Sequence, residues 1–594
     1  MIDPAGGPPV DRSSFPAQRS PLKPGRIYRV SNHALVAKVL LTAFLMVAAC
    51  GQRTSAADSK AGDELFADGA ITHLRIEVAA PDMEILRRYT FRREAQQEER
   101  ESARCTVREG TNAWREVAIH LKGSMGSFRG VDETPSMTLN FSKHISRQRF
   151  HGLEKISLNA SVQDTTRVSE KFCREFYTRG GIPAPRAGHA TAEMNGRRLG
   201  FYVLLEGWNK QFIERHFADA RGPLYEGRFF SDIEQPPIVA YGRAKGGNLG
   251  VAQLLAAAQE PNPTKRMARL EAVLDMERFT RLLALDMLTW NSDGYAMHVN
   301  NYRIFHDRKK ERLVFLAHGL DQMFTLPDAP LLAGGDGSVA WAVLSMPEGR
   351  RRVLEQIREL RHTLFQPEAM RRRVMEIALP VGLALGREAG LSNAAPPAHT
   401  EAIRGWVQLM TERIASIDVQ LAGISNLVSL RSGQSLILPI WTNRAIAGVP
   451  ALLQPSDPPS LNLRTATGST GAWVTVQWLE HGRYRLQGRV RQAPGTATNQ
   501  MTCGFRVLAP RKRSLGIDWG WDSRRRVGSE DRFKLAYQPL PSTAGTNWTE
   551  LVCEIDLRQP VAELEMRCEA SGEGEAWFDL RSLRLTRLTD PGRD

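Results

Sequence analysis

The chain has 594 residues, of which 42% are hydrophobic and 24% are charged. This composition excludes a chain that is disordered throughout, and the length exceeds what one hydrophobic core supports, so we expect two or three domains. The net charge of +14 suggests contact with something anionic, but a solvated basic surface is the interpretation we favour. Nucleic acid is not the partner we expect, because the basic residues lie in short separated clusters and form no known binding motif.

An apolar run lies near the N-terminus, from Ala34 to Ala49. It is too short to span a bilayer comfortably and is typical of the hydrophobic part of a secretory signal. The run ends in small residues directly before Cys50, the pattern of a lipidated cysteine in bacterial lipoproteins. We therefore expect residues 1–50 to be a lipoprotein signal segment that exports the chain and anchors it to a membrane through Cys50. Gly51 favours the outer membrane or cell surface, and an ordinary signal peptide cleaved near Ser55-Ala56-Ala57 is the alternative.

Residues 51–70 are predicted to be a polar tether, and residues 71–430 to form one α+β domain. Up to about residue 206, apolar and polar residues alternate as they do in half-buried strands. Three strands and a helix are predicted there, at His73–Val78, Val117–Leu121, Met137–Phe141 and Thr166–Thr178. The dipeptide Asn195-Gly196 predicts a hairpin turn, and a loop of small residues runs from Lys122 to Arg129.

Helical periodicity dominates the rest of this domain. Apolar residues predict one helix from Arg266 to Trp290 and a longer helical region from Pro367 to Leu421, broken at Ala394–Pro397. Asp286 lies on the apolar face of the first helix. We interpret it as a hydrogen-bonded structural carboxylate.

Residues 435–594 are predicted to form an all-β, sandwich-like domain. Short strands recur between turns, for example at Trp473–Trp478, Tyr484–Val490 and Ala562–Met566. The tryptophans of this domain suggest either a sugar-stacking platform or a buried core, which is the commoner use; they are Trp473, Trp478, Trp519 and Trp521. A carbohydrate or cell-wall ligand is therefore one candidate partner. A disulfide is one candidate crosslink, among Cys503, Cys553 and Cys568.

Polar residues that suit phosphoryl transfer follow the helix that ends near Trp290. This reaction needs a metal ion to gather phosphate oxygens, cations to balance charge, and a carboxylate to take the proton of the acceptor hydroxyl. Asp293 lies in the loop after the helix, and Asp321 follows the apolar strand Leu313–Leu316. If Asn301–Phe305 pairs with this strand, the hairpin brings the two carboxylates together, and such oxygens are ligands that magnesium prefers.

The middle third of the chain, from Gln148 to Asp321, carries an ordered set of short motifs. They are Gln148-Arg149-Phe150-His151-Gly152-Leu153, Leu158-Asn159 with Asp164, Gly181-Ile182-Pro183-Ala184-Pro185-Arg186, Asn195-Gly196, Gly200-Phe201-Tyr202-Val203-Leu204-Leu205-Glu206, Asn300-Asn301-Tyr302-Arg303 and His318-Gly319-Leu320-Asp321. In order and spacing, this set resembles the CotH family of atypical protein kinases.

The resemblance implies a reduced, two-lobed atypical kinase-like domain, with a smaller lobe to about residue 206 and a larger helical lobe after it. ATP and Mg²⁺ (or Mn²⁺) would lie between the lobes. The activity it implies is transfer of the ATP γ-phosphate to Ser or Thr hydroxyls of secreted or surface proteins. By position, it assigns a catalytic role to Asp293, metal binding to Asn301 and Asp321, and nucleotide binding to Lys122, Arg129 and Glu206.

Two substitutions depart from the family pattern. Gly319 stands where many members have a second acidic residue, and Thr134 stands where a basic residue often precedes Pro135-Ser136. The alternative function is therefore a catalytically weak or inactive, surface-anchored binding lipoprotein. The site residues also have structural interpretations: turn caps for Asp293 and Asp321, turn order for Asn301, solvated loop charges for Lys122 and Arg129, and an ion-pair partner for Glu206.

Overall fold

The computed structural model describes part of the chain, and that part lies within the unit Ala57–Asp594. The described residues are 61–91, 100–244, 248–332, 334–424, 427–438, 440–448, 450–456, 459–493, 501–510, 532–541 and 546–589. They combine helices and strands, so the predicted α+β class is confirmed. The predicted domain limits stay a prediction, and Cys50 lies outside the described residues. Within the described ranges, no helix is both long and apolar enough to cross a bilayer.

The first part of the fold is a closed barrel of seven strands. They are β1 (Ile71–Glu77), β2 (Ala103–Glu109), β3 (Asn112–Lys122), β4 (Ser136–Asn140), β5 (Lys155–Asn159), β6 (Ala187–Met194) and β7 (Arg197–Glu206), with helices α1 (Asp63–Phe66), α2 (Ala80–Arg88) and α3 (Ser169–Arg179). Around the barrel their order is β1-β2-β3-β4-β5-β7-β6, and β1 pairs with β6 in parallel. Because side chains alternate along a strand, Val117, Ile119 and Leu121 fill the barrel while His120 and Lys122 face away from it.

The turn between β6 and β7 is the predicted hairpin. Asn195 has a φ of 49° and Gly196 a φ of 78°, which are the left-handed conformations that a type I′ turn requires at both central positions. The Asn195 side chain also accepts from the Val78 backbone N–H at 2.8 Å and donates to the Val78 carbonyl at 2.9 Å. The turn therefore fixes the pairing of these strands and joins them to the chain after β1.

A four-stranded sheet and a group of helices follow the barrel. The strands, in the order β11-β10-β8-β9, are β8 (Leu224–Glu226), β9 (Ile238–Tyr241), β10 (Tyr302–Asp307) and β11 (Arg312–Ala317). The helices are α4 (Lys210–His216), α5 (Leu249–Ala258), α6 (Pro263–Val273), α7 (Met276–Thr289), α8 (Tyr295–His298), α9 (Ser338–Leu344), α10 (Pro347–Thr363), α11 (Pro367–Glu388) and α12 (Pro397–Ile424). Except for α4, whose Phe212 and Ile213 pack in a separate cluster, their apolar faces share one core with α3. The predicted break near Pro397 separates α11 from α12.

The prediction of a single helix from Arg266 to Trp290 is wrong. The structure has two helices there, α6 and α7, separated at Leu274 and Asp275. The Asp275 side chain accepts from the Arg278 backbone N–H at 3.1 Å, while its own backbone N–H donates to the Leu313 carbonyl at 2.9 Å. An N-cap and a contact with β11 therefore interrupt a pattern that is apolar at helical spacing throughout.

The residues described in the C-terminal part form strands and no helix, as predicted, and the sandwich arrangement stays an interpretation. Its strands are β12 (Ser435–Ile437), β13 (Thr442–Ala447), β14 (Ala451–Ser456), β15 (Ser460–Thr465), β16 (Thr470–Gln492), β17 (Thr502–Pro510), β18 (Arg532–Pro539), β19 (Thr549–Ser571), β20 (Gly574–Asp579) and β21 (Arg584–Arg587). The prediction of two separate strands at Trp473–Trp478 and Tyr484–Val490 is wrong. They are one strand, β16, in which a register shift between Glu480 and Gly482 replaces the expected turn.

Buried side chains fill this part of the fold. Trp473 is buried in the core of this part, which confirms the core interpretation, whereas Trp478 is buried against the helical core. Trp519 and Trp521 lie outside the described residues. The candidate disulfide is not formed, because the three C-terminal cysteines are buried and free; they are Cys503, Cys553 and Cys568.

Candidate active site

A cavity of about 690 Å³ lies between the outward face of β3, β4 and β5 and the loops that flank β10 and β11. The barrel side of this cavity is almost entirely polar. Three adjacent strands contribute the side chains Ala118, His120, Lys122, Ser136, Thr138, Asn140, Lys155, Ser157 and Asn159. The opposite wall supplies Asp293, Asn300, Asn301, Arg303, His318 and Asp321. Such a lining suits a polar, multiply charged ligand rather than an apolar one.

Strand register holds these polar side chains in rows. His120 is the cross-strand partner of Thr138, which is in turn the partner of Ser157. The Thr138 and Ser157 hydroxyl oxygens lie 3.0 Å apart, within hydrogen-bond distance. Burial, followed by Arg100, Lys155 and other nearby cations, lowers the pKa of His120 to about 3. The imidazole is therefore neutral at physiological pH, and the barrel wall is electropositive.

Asp293 lies in the loop after α7, which ends at Trp290 in the left-handed conformation, with a φ of 53°. One oxygen of its carboxylate, Oδ1, accepts from Asn300 Nδ2 at 2.9 Å, and Oδ2 accepts from Asn301 Nδ2 at 2.6 Å. Burial raises the pKa of Asp293, whereas these hydrogen bonds and His298 oppose the rise. The carboxylate is thus held in one orientation and made more basic than a solvated aspartate.

Asp321 follows β11 and lines the same cavity. The predicted hairpin positions it, since β10 and β11 pair and the His318 backbone N–H donates to the Asn301 carbonyl at 2.9 Å. Burial, followed by the nearby carboxylates of Glu170, Asp164 and Asp293, raises the pKa of Asp321 to about 7. The two carboxylates that the sequence predicts to meet therefore face one cavity.

The structure explains why this chain has glycine at position 319. Its φ is +65°, and a Cβ at this position would lie 2.8 Å from the Asn301 side chain. An acidic residue would therefore displace the amide that holds Asp293. The departure from the family pattern coincides with the close approach of Asn301 to the backbone.

Replacing Gly319 with alanine is expected to lower the free energy of unfolding more than the same change at Gly196. Both glycines are left-handed, but nothing lies within 4 Å of a Cβ at Gly196. Each alanine costs about 1 kcal/mol for its backbone conformation. At Gly319 we expect about 1–3 kcal/mol more, because the methyl group displaces Asn301. Urea unfolding of both variants measures the difference, and equal losses would contradict the account.

The three expected nucleotide-binding residues differ in their surroundings. Lys122 lines the cavity, and burial lowers its pKa while Glu170 and Asp321 oppose the shift. No described carboxylate lies within ion-pair distance of its ammonium group. Glu206 also lines the cavity, but its fully buried carboxylate is bound by Arg186 and Arg215.

Arg129 lies elsewhere. Its guanidinium donates to the Phe128 carbonyl at 2.7 Å and to the Gly126 carbonyl at 3.3 Å, within its own loop. It is not among the described residues that line the cavity. The role of each site residue stays a prediction, and of the three expected nucleotide-binding residues only Lys122 is a cation that lines the cavity.

Sequence reasoning missed the α3 residues beside this site. Glu170 and Arg174 are both buried, and Arg174 Nη2 donates to Glu170 Oε1 at 2.6 Å. Asn159 Nδ2 donates to the other Glu170 oxygen at 2.7 Å. Their spacing of four residues was the available signal, but the same spacing is typical of solvent-exposed helix pairs.

The side chains of the cavity fit a magnesium ion only if a bound ligand supplies further oxygen atoms. Within the described residues, no three His, Cys, Asp or Glu side chains are grouped to hold a metal ion. The cavity offers the carboxylates of Asp293 and Asp321 together with the Asn301 amide. Magnesium is commonly bound by one or two carboxylates that are completed by water and substrate phosphates. The site therefore fits a metal that arrives with a phosphate ligand.

Several solved structures are similar to parts of the chain, but with low TM-scores. HipA of Shewanella oneidensis MR-1, in a complex with HipB and operator DNA, is 12% identical, with coverage of 45% of this chain and 60% of that chain and a TM-score of 0.22. CsCBM6-3 from Clostridium stercorarium, in complex with cellobiose, is 11% identical, with coverage of 25% and 95% and a TM-score of 0.13. Scores this low carry no argument about fold or ligand.

Sequence comparison is more informative. Inner spore coat protein H of Bacillus subtilis (strain 168) is 25% identical over 182 residues, which are 28% of this chain and 49% of that protein. The chain thus spans about half the length of this curated relative. The family model described as CotH kinase protein matches residues 119–394, a range that contains Asp293, Asn301 and Asp321. Residues 119–394, slightly less than half of the chain, are thus similar to the CotH kinase protein family.

Proposed function

We propose that the protein is an exported, CotH-like atypical kinase that transfers the γ-phosphate of ATP to Ser or Thr hydroxyls of secreted or surface proteins. The barrel would serve as the smaller lobe and the helical part as the larger one. The observation that carries the proposal is the shared cavity, in which Asp293 and Asp321 face a Lys122 ammonium without an ion-pair partner among the described residues. Carboxylates for a metal and a cation for phosphate are what phosphoryl transfer requires.

Each side chain has a role that its surroundings support. Asp321 and Asn301 would hold Mg²⁺ or Mn²⁺, whose chemistry when bound is to neutralise the charge on the phosphates. Lys122 would bind phosphate oxygens. Asp293, held by Asn300 and Asn301 and raised in pKa, would orient the acceptor hydroxyl and take its proton.

Autophosphorylation tests this proposal. Protein that lacks residues 1–56 is incubated with γ-labelled ATP, with and without Mg²⁺, and label on Ser and Thr is measured. We expect label only in the presence of the metal. If the protein neither binds nor consumes ATP with Mg²⁺ or Mn²⁺, the kinase proposal is wrong.

One observation favours the alternative, a weak or inactive surface-anchored binding protein. A carboxyl with a pKa of about 7, as at Asp321, is half protonated near neutral pH and is then a poor metal ligand. Thr134 is exposed and supplies no cation where many relatives have one. A protein that binds nucleotide without transferring phosphate would support this alternative, and a carbohydrate or cell-wall ligand of the C-terminal part stays a prediction.

We also propose that Cys50 carries a lipid anchor at the outer membrane or cell surface. Cys50→Ser is expected to abolish incorporation of labelled palmitate into the full chain expressed in bacteria. The variant should also leave the membrane fraction. Ser55→Ala is the matched control, because it changes a hydroxyl near the signal segment without removing the thiol. Undiminished labelling of Cys50→Ser would contradict the anchor.

A further inference from the structure

Arg174 is a buried arginine whose hydrogen bonds are incomplete. It is only 2% exposed, and its Nε and Nη2 donate to Glu170 Oε1 at 3.2 and 2.6 Å. Its third nitrogen, Nη1, is buried and has no hydrogen-bond partner among the described residues. The side chain lines the cavity that contains Asp293 and Asp321. An unpaired donor in such a place indicates an acceptor that belongs to a ligand.

A buried nitrogen without a hydrogen-bond partner does not by itself indicate a ligand. Arg350 also has one, Nε, and Arg350 does not line the cavity. The neighbourhood of Arg174 is what differs. Arg303, Arg174 and Lys122 line one cavity with His318. Burial, followed by these three cations, lowers the pKa of His318 well below its usual value.

A second buried arginine repeats the pattern in the same cavity. Arg303 is 6% exposed, and its Nη2 pairs with Glu226 Oε1 at 3.0 Å. Its Nε is also buried without a partner within the described ranges. The cavity therefore concentrates positive charge and unused donors, the combination that binds phosphate oxygens.

The position of Arg174 indicates which phosphates it meets. Its partner Glu170 interacts electrostatically with Lys122 and with Asp321, the expected metal ligand. A metal held by Asp321 would gather the terminal phosphates, so a donor of the same cavity that is paired with Glu170 would lie near those groups rather than near the base.

We propose that Arg174 binds the β- or γ-phosphate of the nucleotide through Nη1, and that Glu170 is a positioning residue that holds Arg174 rather than Lys122. Glu170 is well placed for this role because Asn159 occupies its second oxygen and Arg174 its first. The inference rests on the proposed nucleotide site. It deepens that proposal by naming a residue that discriminates nucleotides by phosphate number.

Nucleotide binding by Arg174→Gln tests the inference, with dissociation constants measured for ATP and AMP by calorimetry in Mg²⁺. We expect the affinity for ATP to fall about 10- to 100-fold, as for the loss of one charge-assisted hydrogen bond. The affinity for AMP should change less than about threefold, because AMP lacks the β- and γ-phosphates. Arg281→Gln is the control, since Arg281 lies outside the cavity lining and donates to Gln356; it should leave both affinities unchanged.

Removing Arg174 leaves the Glu170 charge buried and unpaired, which could unfold the protein. The double variant Glu170→Gln/Arg174→Gln removes both charges and therefore leaves no unpaired charge buried. The same selective loss of ATP affinity in the double variant supports the inference. An ATP-to-AMP affinity ratio like that of the unmutated protein, in either folded variant, overturns it. If the unmutated protein binds no ATP, the proposed function itself is overturned, and the inference with it.

Discussion

Asp293→Asn is expected to lower the turnover number of phosphoryl transfer by about 10²- to 10⁴-fold, the usual contribution of a positioned general base. Asparagine keeps the shape of the side chain but has no basic oxygen for the acceptor proton. The Michaelis constant for ATP should change little, because Asp293 is expected to act on the acceptor hydroxyl. Steady-state kinetics over a range of ATP concentrations separates these two constants.

Asp286→Asn is the matched control for this substitution. Asp286 is also a buried aspartate, seven positions earlier, but it does not line the cavity. Its Oδ1 accepts from the Tyr177 hydroxyl at 2.7 Å and from Asn291 Nδ2 at 2.9 Å, and an asparagine carbonyl can accept both bonds. Burial raises its pKa to about 7, so loss of its charge costs little. Comparable losses of turnover in the two variants would show that Asp293 acts only through the fold.

Asp321→Asn is expected to remove metal-dependent transfer, with a loss of about 10³-fold or more in turnover, because a bound metal supplies several kcal/mol of charge stabilisation. Magnesium should no longer raise the affinity for ATP. Titration of ATP into each variant, with and without Mg²⁺, measures this coupling. A variant that retains the full magnesium effect would exclude Asp321 as the metal ligand.

The same residue predicts a pH dependence in the unmutated protein. The pKa of Asp321 is raised to about 7, so the carboxyl is ionised above this pH and protonated below it. Because a metal binds the ionised form, magnesium affinity in the presence of ATP should fall about tenfold from pH 8 to pH 6. Asp321→Asn should lack this dependence, and a flat profile in the unmutated protein would contradict the assignment.

Local features of the fold could be predicted from the sequence. Asn195-Gly196 gave the hairpin because both residues tolerate positive φ, and this preference is independent of distant contacts. The strand before Asp321 was equally readable, since Leu313–Leu316 is continuously apolar and the structure buries it in β11. The boundary between α6 and α7 could not be predicted from the sequence, because it depends on the backbone contact of Asp275 with Leu313, almost forty residues away.

The features of the site also fall into those that the sequence predicts and those that only the tertiary structure shows. Sequence by itself determined the resemblance of the middle of the chain to the CotH family, and it predicted that the carboxylates Asp293 and Asp321 meet through a hairpin. Motif order and hairpin pairing are properties of neighbouring segments of the chain. Only the tertiary structure decided what surrounds each charge. It neutralised Glu206 with Arg186 and Arg215, and it buried the Glu170–Arg174 pair that looks like an exposed helix pair in sequence. Burial, orphan donors and shifted pKa values depend on side chains brought together from distant segments, and a one-dimensional pattern does not contain those distances.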